Sequence, residues 1–304
     1  TVELYVNDDK NPLSSDDYRG VYQLVEVIQN KKNRLNLAKL DAKITTLPDI
    51  SGAYVFKFDH IVAEPPLVDC PNGASNCWHY LELVYPSPAT DAQLGFLTNY
   101  LVDFNDALYR SASSTAQTTY LDYIDLKSFV DHVIICEATR NLDCYVRSQY
   151  FYKDRNEKIF AGPLWDFDMI AGVGLDHQTI NDQFHNNIGT EGWQYEANSS
   201  RMDGVTSGWF TQLIADPQFK AALVSRWREL RAGVYSDSAI VSRVDGITKG
   251  LAAAAHRNFT RWDILTQGTV NNFTSPTEPT WEGQVAYMKQ VLKERAAWID
   301  SQWQ

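Results

Sequence analysis

Two short acidic segments, Asn141–Asp143 and Trp165–Asp168, hold the residues of this chain best suited to chemistry. The first segment ends an amphipathic helical pattern. Between the two lie strand-like runs, Ser148–Tyr152 and Lys158–Ala161, separated by the turn-forming residues Asp154–Glu157. A hairpin of that length folds back on itself and brings the two acidic segments together. Converging carboxylates are the groups from which a metal-phosphate site or an acid/base site is built.

Phosphoryl transfer needs one carboxylate near the acceptor hydroxyl, a second that holds magnesium on the phosphates, and a cation that fixes those phosphates. Asp143 suits the first task and Asp166 the second. Five residues after Asp143, where protein kinases carry a metal-binding Asn, this chain has Ser148, a weaker neutral oxygen ligand. Each Asp also suits a simpler role, as a helix end or as a turn carboxylate that caps backbone amides.

The cation for the phosphates is expected from the sheet-rich first part of the chain. Lys57 lies in the middle of a strand-like run, and Glu26 lies near the end of another, Gly20–Ile28. Kinases orient a phosphate-binding lysine by pairing it with a glutamate, but a strand lysine is equally the solvent-facing half of an alternating pattern. Further basic candidates are Lys31, Lys32 and Arg34. This basic cluster suits either phosphate contacts or a solvated turn.

The composition excludes some classes of function. A formal net charge of -11 over 304 residues disfavours a nucleic-acid polymer as partner, because phosphate backbones require concentrated Lys and Arg. A nucleotide site is compatible with that charge, since a few local cations and a metal hold it. No apolar run approaches the roughly 20 residues that span a bilayer, so we expect no membrane span.

The cysteines leave alternatives open. Cys70 and Cys77 bracket a Pro-Asn-Gly loop, which suits a disulfide of an oxidising compartment or two free thiols in a surface loop. Cys136 and Cys144 lie in or beside a predicted helix, and their spacing decides nothing. N-glycosylation sequons occur at Asn198, Asn258 and Asn272. The P-loop, GxSxG, HExxH and zinc-type motifs are absent from the sequence.

The hydrophobic period changes along the chain and predicts an α+β fold. A small antiparallel-sheet lobe, residues 1–88, precedes a larger, mainly helical lobe, residues 89–304, which carries the hairpin of residues 141–168. The predicted strands are Val2–Val6, Gly20–Ile28, Gly52–Asp59 and Trp78–Tyr85. The predicted helices are Ala92–Tyr109, one ending near Asn141, Trp209–Ile214, Pro217–Ala232, Asp237–His256 and Trp281–Gln302. The polar stretch Gly172–Gly208 is predicted to be a long loop.

Several motifs in one order along nearly the whole chain resemble the CotH family of atypical, secreted or coat-associated protein kinases. They are Gly20–Glu26, Asn33–Asn36, Gly52–Lys57, Asn141–Asp143, Ser148–Lys153, Gly162–Asp168, Arg226–Arg231, Arg257–Phe259 and Trp262. The resemblance implies a highly diverged protein-kinase-like fold, ATP with Mg²⁺ or Mn²⁺ as cofactor, and Ser or Thr of a coat, surface or secreted protein as acceptor. Family members carry a further segment before the Val2 strand, so we expect the sheet lobe to lack its N-terminal part.

The resemblance also implies roles for individual residues. Asp143 matches the catalytic-loop aspartate and Asp166 the metal-binding aspartate of the family. Asp168 is the second acid of the same motif, either a ligand or a support. Lys57 and Glu26 match positions of the sheet lobe that face the nucleotide.

Two other functions remain open from the sequence. The first is a non-catalytic adhesion or binding module on a kinase-like scaffold, suggested by the Gly172–Gly208 loop with Trp193 and Tyr195, which we expect to be exposed. The second treats the carboxylates as a glycosidase pair, which would lie about 5 to 10 Å apart in an open cleft.

Overall fold

The computed structural model describes residues 1–59, 66–71, 76–110, 117–175, 189–198, 208–270, 273–274 and 278–303. The chain forms two compact units. The sheet unit contains Ile28–Ile170 and Gly192–Trp227, and the terminal unit contains Thr1–Val27, Ala171–Glu191 and Arg228–Gln304. Antiparallel sheets come first along the chain and helices dominate later, which confirms the predicted α+β class. The boundary between lobes predicted at residue 88 stays a prediction.

The strands are β1 (Val2–Tyr5), β2 (Tyr18–Tyr22), β3 (Tyr54–Phe58), β4 (Leu81–Tyr85), β5 (Gln149–Lys153), β6 (Ile159–Ala161), β7 (Gly174–Leu175), β8 (Thr269–Val270) and β9 (Phe273–Thr274). The α-helices are α1 (Asp91–Leu108), α2 (Leu126–Thr139), α3 (Gln194–Ala197), α4 (Trp209–Ala215), α5 (Pro217–Arg231), α6 (Asp237–Thr248), α7 (Ala252–Arg261) and α8 (Trp281–Gln302). Short 3₁₀ helices are formed by Ser15–Asp17, Asp49–Ser51 and Tyr120–Asp122.

A four-stranded antiparallel sheet, in the order β4-β3-β5-β6, organises the sheet unit. Because successive side chains of a strand point to opposite faces, Phe56 and Phe58 of β3 share one face. They pack on Phe151 and Trp209, with ring centroids 5.6 Å apart in the pairs Phe56–Phe151 and Phe58–Trp209. This face is the buried aromatic core of the unit. Lys57, between the two phenylalanines in sequence, therefore points to the other face.

Helix α2 delivers the chain to the first acidic segment. Its first turn is capped by Asp125, whose carboxylate accepts a hydrogen bond from the Ser128 backbone N–H at 2.8 Å. The helix ends at Thr139, and the residue that caps it, Arg140, has a left-handed φ of 52°. The chain therefore turns sharply before Asn141, and Asp143 lies in the turns that follow the helix.

The terminal unit joins an antiparallel strand pair to helices. The strands are β1 and β2, and the side-chain oxygen of Asn258 in α7 accepts a hydrogen bond from the Val21 backbone N–H at 2.9 Å. Gly20 has a φ of +116°, and a Cβ there would lie 2.7 Å from that same oxygen. Glycine is thus required both for the backbone conformation and for the close approach of α7 to β2.

Three sequence predictions differ from the structure. The second strand ends at Tyr22 and not at Ile28, because its ladder with β1 ends at the pair Val2 and Tyr22. Glu26 therefore lies beyond the strand. The strand predicted from Trp78 begins at Leu81. The predicted helix Asp237–His256 is two helices, α6 and α7, which are separated by Lys249–Leu251 with a poor helix former, glycine, at its centre.

A buried histidine predicts acid sensitivity of the sheet unit. Burial lowers the pKa of His132 to about 4, although a hydrogen bond with Gln149 opposes the shift. As pH falls from 6.5 to 4, His132 becomes protonated in the unfolded chain but stays neutral in the folded one. The free energy of unfolding should therefore fall by about 3 kcal/mol. Denaturant unfolding at several pH values measures this slope. An H132F variant should lose it, while V133A, destabilised but retaining His132, should keep it; equal slopes in both variants would refute the assignment.

Candidate active site

Asn141 joins the two acidic segments. Its side-chain oxygen accepts a hydrogen bond from the Asp143 backbone N–H at 3.0 Å, and its amide nitrogen donates to the Asp166 carbonyl at 3.2 Å. A second link runs from the Leu142 backbone N–H to the Met169 carbonyl, 3.2 Å. The β5–β6 hairpin lies between the segments, as predicted. One polar side chain thus fixes both acidic turns at the same end of the hairpin.

Asp166 occupies a concentration of negative charge. The Ser148 hydroxyl donates to its carboxylate at 3.3 Å. Partial burial is the main cause that raises the pKa of Asp166, and the charges of Asp168 and Asp59 raise it further. The Ser148 hydrogen bond acts in the opposite direction. Asp166 and Ser148 both have left-handed backbone conformations, with φ of 61° and 52°. Such strained residues concentrate at functional sites.

Lys57 lies on the sheet face opposite the aromatic core, with Glu82 and Tyr150 as its direct cross-strand neighbours. Its ammonium is 3.2 Å from the Glu82 carboxylate, makes a short ion pair with Asp59, and lies 5.7 Å from the centre of the Tyr150 ring. Burial acts to lower the pKa of Lys57, but the hydrogen bond to Asp59, the Tyr150 and Asp59 charges and the hydrogen bond to Glu82 outweigh it and raise the pKa. The lysine is therefore a fixed positive charge.

The sequence alone did not identify Glu82 as a partner of Lys57. Glu82 alternates with apolar residues in a strand whose register against β3 is interrupted by an irregularity between Val55 and Phe56. Only the pattern Leu-Glu-Leu, a lone acid in an apolar strand, could have drawn attention to it. Glu26, the partner predicted from sequence, belongs to the terminal unit, and its role toward Lys57 stays a prediction.

The predicted basic cluster lies in an exposed turn of the sheet unit. The Arg34 backbone N–H donates to the Lys31 carbonyl at 2.8 Å, and the Arg34 guanidinium donates to the Asn33 carbonyl at 2.7 Å. Both basic side chains are exposed. Phosphate contacts by Lys31 and Arg34 stay a prediction.

The donor set suits a hard divalent cation that phosphates also coordinate. Asp166, Asp168 and Ser148 would supply oxygens, and a divalent cation would relieve the repulsion between the carboxylates. Among the residues that the structure describes, no three His, Cys, Asp or Glu side chains form a ready-made metal site. Mg²⁺ fits this arrangement because it is typically held by one or two carboxylates together with substrate phosphates.

Both cysteine pairs form disulfides, which resolves the alternatives left by their spacing. The bonds are Cys70–Cys77 and Cys136–Cys144. The second joins α2 to the residue directly after Asp143, and both of its cysteines are fully buried. It closes the chain around the turn that carries the candidate catalytic acid.

Removing the Cys136–Cys144 bond should therefore impair both stability and turnover. Each disulfide closes a loop of similar length, with sequence separations of 8 and 7. The chain-entropy argument thus gives a similar loss for the C136A/C144A and C70A/C77A variants, about 2.5 kcal/mol each. Only C136A/C144A should also lower the phosphoryl transfer that the sequence predicts for this site, because only that bond borders Asp143. Chemical denaturation and activity assays measure the two effects; equal activity in the two variants would contradict the positioning role.

The predicted long loop Gly172–Gly208 is described only in part, because residues 176–188 and 199–207 lie outside the described residues. Within it, Gln194–Ala197 is a short helix. Trp193 and Tyr195 stack with ring centroids 6.1 Å apart, and both are half-buried. The expectation that these two rings are exposed was wrong, because the segment that carries them is anchored on α2.

The fold and the site define a class of protein. It is an α+β protein whose acidic turns, serine hydroxyl and sheet lysine are of the residue types expected for transfer of phosphate from a metal-bound nucleotide. The sequence profile of the CotH kinase protein family matches residues 1–299, and the chain therefore belongs to that family. A kinase family implies ATP as the phosphate donor. Comparison with curated proteins gave no match.

No helix in the described part of the chain is long and apolar enough to cross a membrane. The two disulfides are consistent with an extracellular protein.

Proposed function

We propose that this chain is a protein kinase that transfers the γ-phosphate of Mg²⁺-ATP, or Mn²⁺-ATP, to Ser or Thr of a coat, surface or secreted protein. The observation that carries the proposal is the pair of hydrogen bonds by which Asn141 holds Asp143 and Asp166 together. These bonds hold the backbones of the two acidic turns, and we assign the Asp143 carboxylate to the acceptor and the Asp166 carboxylate to the nucleotide.

In the proposed reaction, Asp143 orients the acceptor hydroxyl and takes its proton. The acceptor oxygen forms a bond to the γ-phosphorus, the bond from that phosphorus to the β,γ-bridging oxygen breaks, and ADP leaves with the electron pair. Asp166, supported by Asp168 and Ser148, would hold the divalent cation. When bound, that cation neutralises charge on the β- and γ-phosphates.

Lys57 would fix the phosphates of ATP. The Glu82 and Asp59 carboxylates hold its ammonium in place, and the raised pKa keeps it charged at neutral pH. We assign to Glu82 the orienting task that a glutamate performs for the phosphate-binding lysine of kinases. Lys31 and Arg34 remain candidates for additional phosphate contacts.

The test is transfer of labelled phosphate from ATP. The protein is incubated with Mg²⁺ or Mn²⁺ and candidate secreted or surface proteins, and the acceptor amino acid is identified after hydrolysis. Label on serine or threonine that disappears in both the D143N and D166N variants supports the proposal. Absence of transfer, or transfer unaffected by both substitutions, overturns it.

The alternative function, a non-catalytic adhesion module, makes the opposite prediction for nucleotide. Its sequence support is reduced because Trp193 and Tyr195 are half-buried. Calorimetry separates the two functions: a kinase binds Mg²⁺-ATP, whereas a pure adhesin shows no heat of nucleotide binding.

A further inference from the structure

Asn198 lies against the turn that carries Asp143. Its side-chain amide donates one hydrogen bond to the Leu142 carbonyl at 3.0 Å and another to the Cys144 carbonyl at 2.8 Å. These are the carbonyls immediately before and after Asp143. The residue is only 2% exposed.

The backbone of Asn198 is itself fixed to helix α2. Its N–H donates to the Gln194 carbonyl at 3.0 Å, at the end of α3. At the start of α3, the buried Glu137 of α2 accepts hydrogen bonds from the Gln194 and Tyr195 backbone N–H groups at 2.8 and 3.0 Å. The hydrogen bonds therefore run from α2 through α3 and Asn198 to the turn that carries Asp143.

Only an amide fits both contacts of the Asn198 side chain. Its NH₂ group has two donors, which match two carbonyl acceptors. A carboxylate of the same shape would place negative charge against both carbonyls, and a serine hydroxyl would supply one donor. An alanine would remove both of these buried hydrogen bonds, which is costly.

We propose that Asn198 is a positioning residue for Asp143, a role that rests on the function proposed above for that carboxylate. By holding the carbonyls on both sides, it sets the direction in which the Asp143 side chain meets the acceptor hydroxyl. The Asn198 amide of the sequon consequently has a structural role and carries no glycan in the folded protein.

The test compares N198A, N198S and N198D with two controls. S200A destroys the sequon but keeps the amide. N105A removes a buried amide of the sheet unit whose oxygen accepts from the Trp209 indole at 2.9 Å, away from the Asp143 turn. We expect N198A to lower kcat roughly 10- to 100-fold because of misplacement of a catalytic group, with KM for ATP unchanged. N198D should lower kcat by at least the same factor, and N198S by a smaller one.

The controls should keep the kcat of the wild type, even where N105A lowers the melting temperature. A kcat for N198A equal to that of N105A overturns the inference, as does a glycan found on Asn198 of fully active protein made in a glycosylating host.

If the wild type transfers no phosphate, the proposed kinase function fails, and hydrogen exchange then tests the positioning role alone. N198A should speed exchange of the Cys144, Val146 and Arg147 amides but not of the β3 amides; unchanged exchange overturns it.

Discussion

Replacing Asp143 by asparagine is expected to lower the rate of phosphoryl transfer by about 10²- to 10⁴-fold, the contribution of a positioned acid or base. The substitution keeps the size of the side chain and the backbone hydrogen bond from residue 143 to the Asn141 oxygen. It removes the group that takes the proton of the acceptor hydroxyl. Because that proton leaves only during reaction, kcat should fall while KM for ATP stays constant.

The control for this prediction is D131N. Asp131 lies in α2, the helix that precedes the Asp143 turn, and pairs with Arg226 at 2.7 Å. Losing a partly exposed ion pair should cost at most about 1 kcal/mol of stability and leave kcat unchanged. Single-turnover assays measure both variants. If D143N had the same rate as D131N, Asp143 would have no part in the reaction.

Replacing Asp166 by asparagine is expected to act on metal and nucleotide together, with opposite effects on activity and stability. Loss of the metal-bearing carboxylate should lower kcat/KM by at least about 10³-fold, since a bound metal contributes several kcal/mol of charge stabilisation. The same change removes a partly desolvated charge and its repulsion with Asp168 and Asp59, and these effects together raise the pKa of Asp166. The metal-free variant should therefore melt slightly above the metal-free wild type.

The control for Asp166 is D245N, in which an exposed carboxylate of the terminal unit loses its pairing with Lys289 at 2.7 Å. It should leave the metal dependence of activity unchanged, and it should not melt above the wild type in the absence of metal. Activity is followed across Mg²⁺ concentrations, and melting is followed in a chelator. A D166N variant that regains the wild-type rate at high Mg²⁺ would reduce Asp166 to a supporting role, and one that melts below the wild type in chelator would contradict the charge argument.

The hairpin that joins the acidic turns could be predicted because its determinants are local. Strand-like runs on both sides of Asp154–Glu157 fix where the chain reverses, and the observed strands β5 and β6 begin within one residue of the predicted ones. The convergence of Asp143 and Asp166 follows from the hairpin alone. The Asn141 contact then adds what the sequence could not show, namely which atoms hold the two turns together.

The pairing of Lys57 with Glu82 could not be predicted, because it depends on register between strands distant in sequence, whereas Asp59 lies only two residues after the lysine. The pair Lys57 and Glu82 exists only in the observed alignment of β3 and β4. Glu26 has strand-like neighbours in the sequence, yet Leu24 and Val27 nearby are 81% and 71% exposed. Residues with high strand propensity form a strand only where a partner strand receives them.

The support of the Asp143 turn was equally hidden from the sequence. Asn198 lies 55 positions after Asp143 in a stretch without clear periodicity, where only its sequon attracted attention. The spacing of Cys136 and Cys144 allowed a bond or two thiols, and only the sharp turn after α2 brings the two sulfurs together. Both features are tertiary contacts to a turn, and such contacts leave no periodic pattern in a sequence.

The central claim, that Asp143 serves the acceptor and Asp166 the metal-bound nucleotide, is tested most directly by calorimetric titration of Mg²⁺-ATP into wild type, D143N and D166N. We predict that wild type and D143N bind with equal affinity, whereas D166N shows no binding or binding that no longer depends on Mg²⁺. Equal binding by all three proteins, or loss of binding in D143N as complete as in D166N, would contradict this division of tasks.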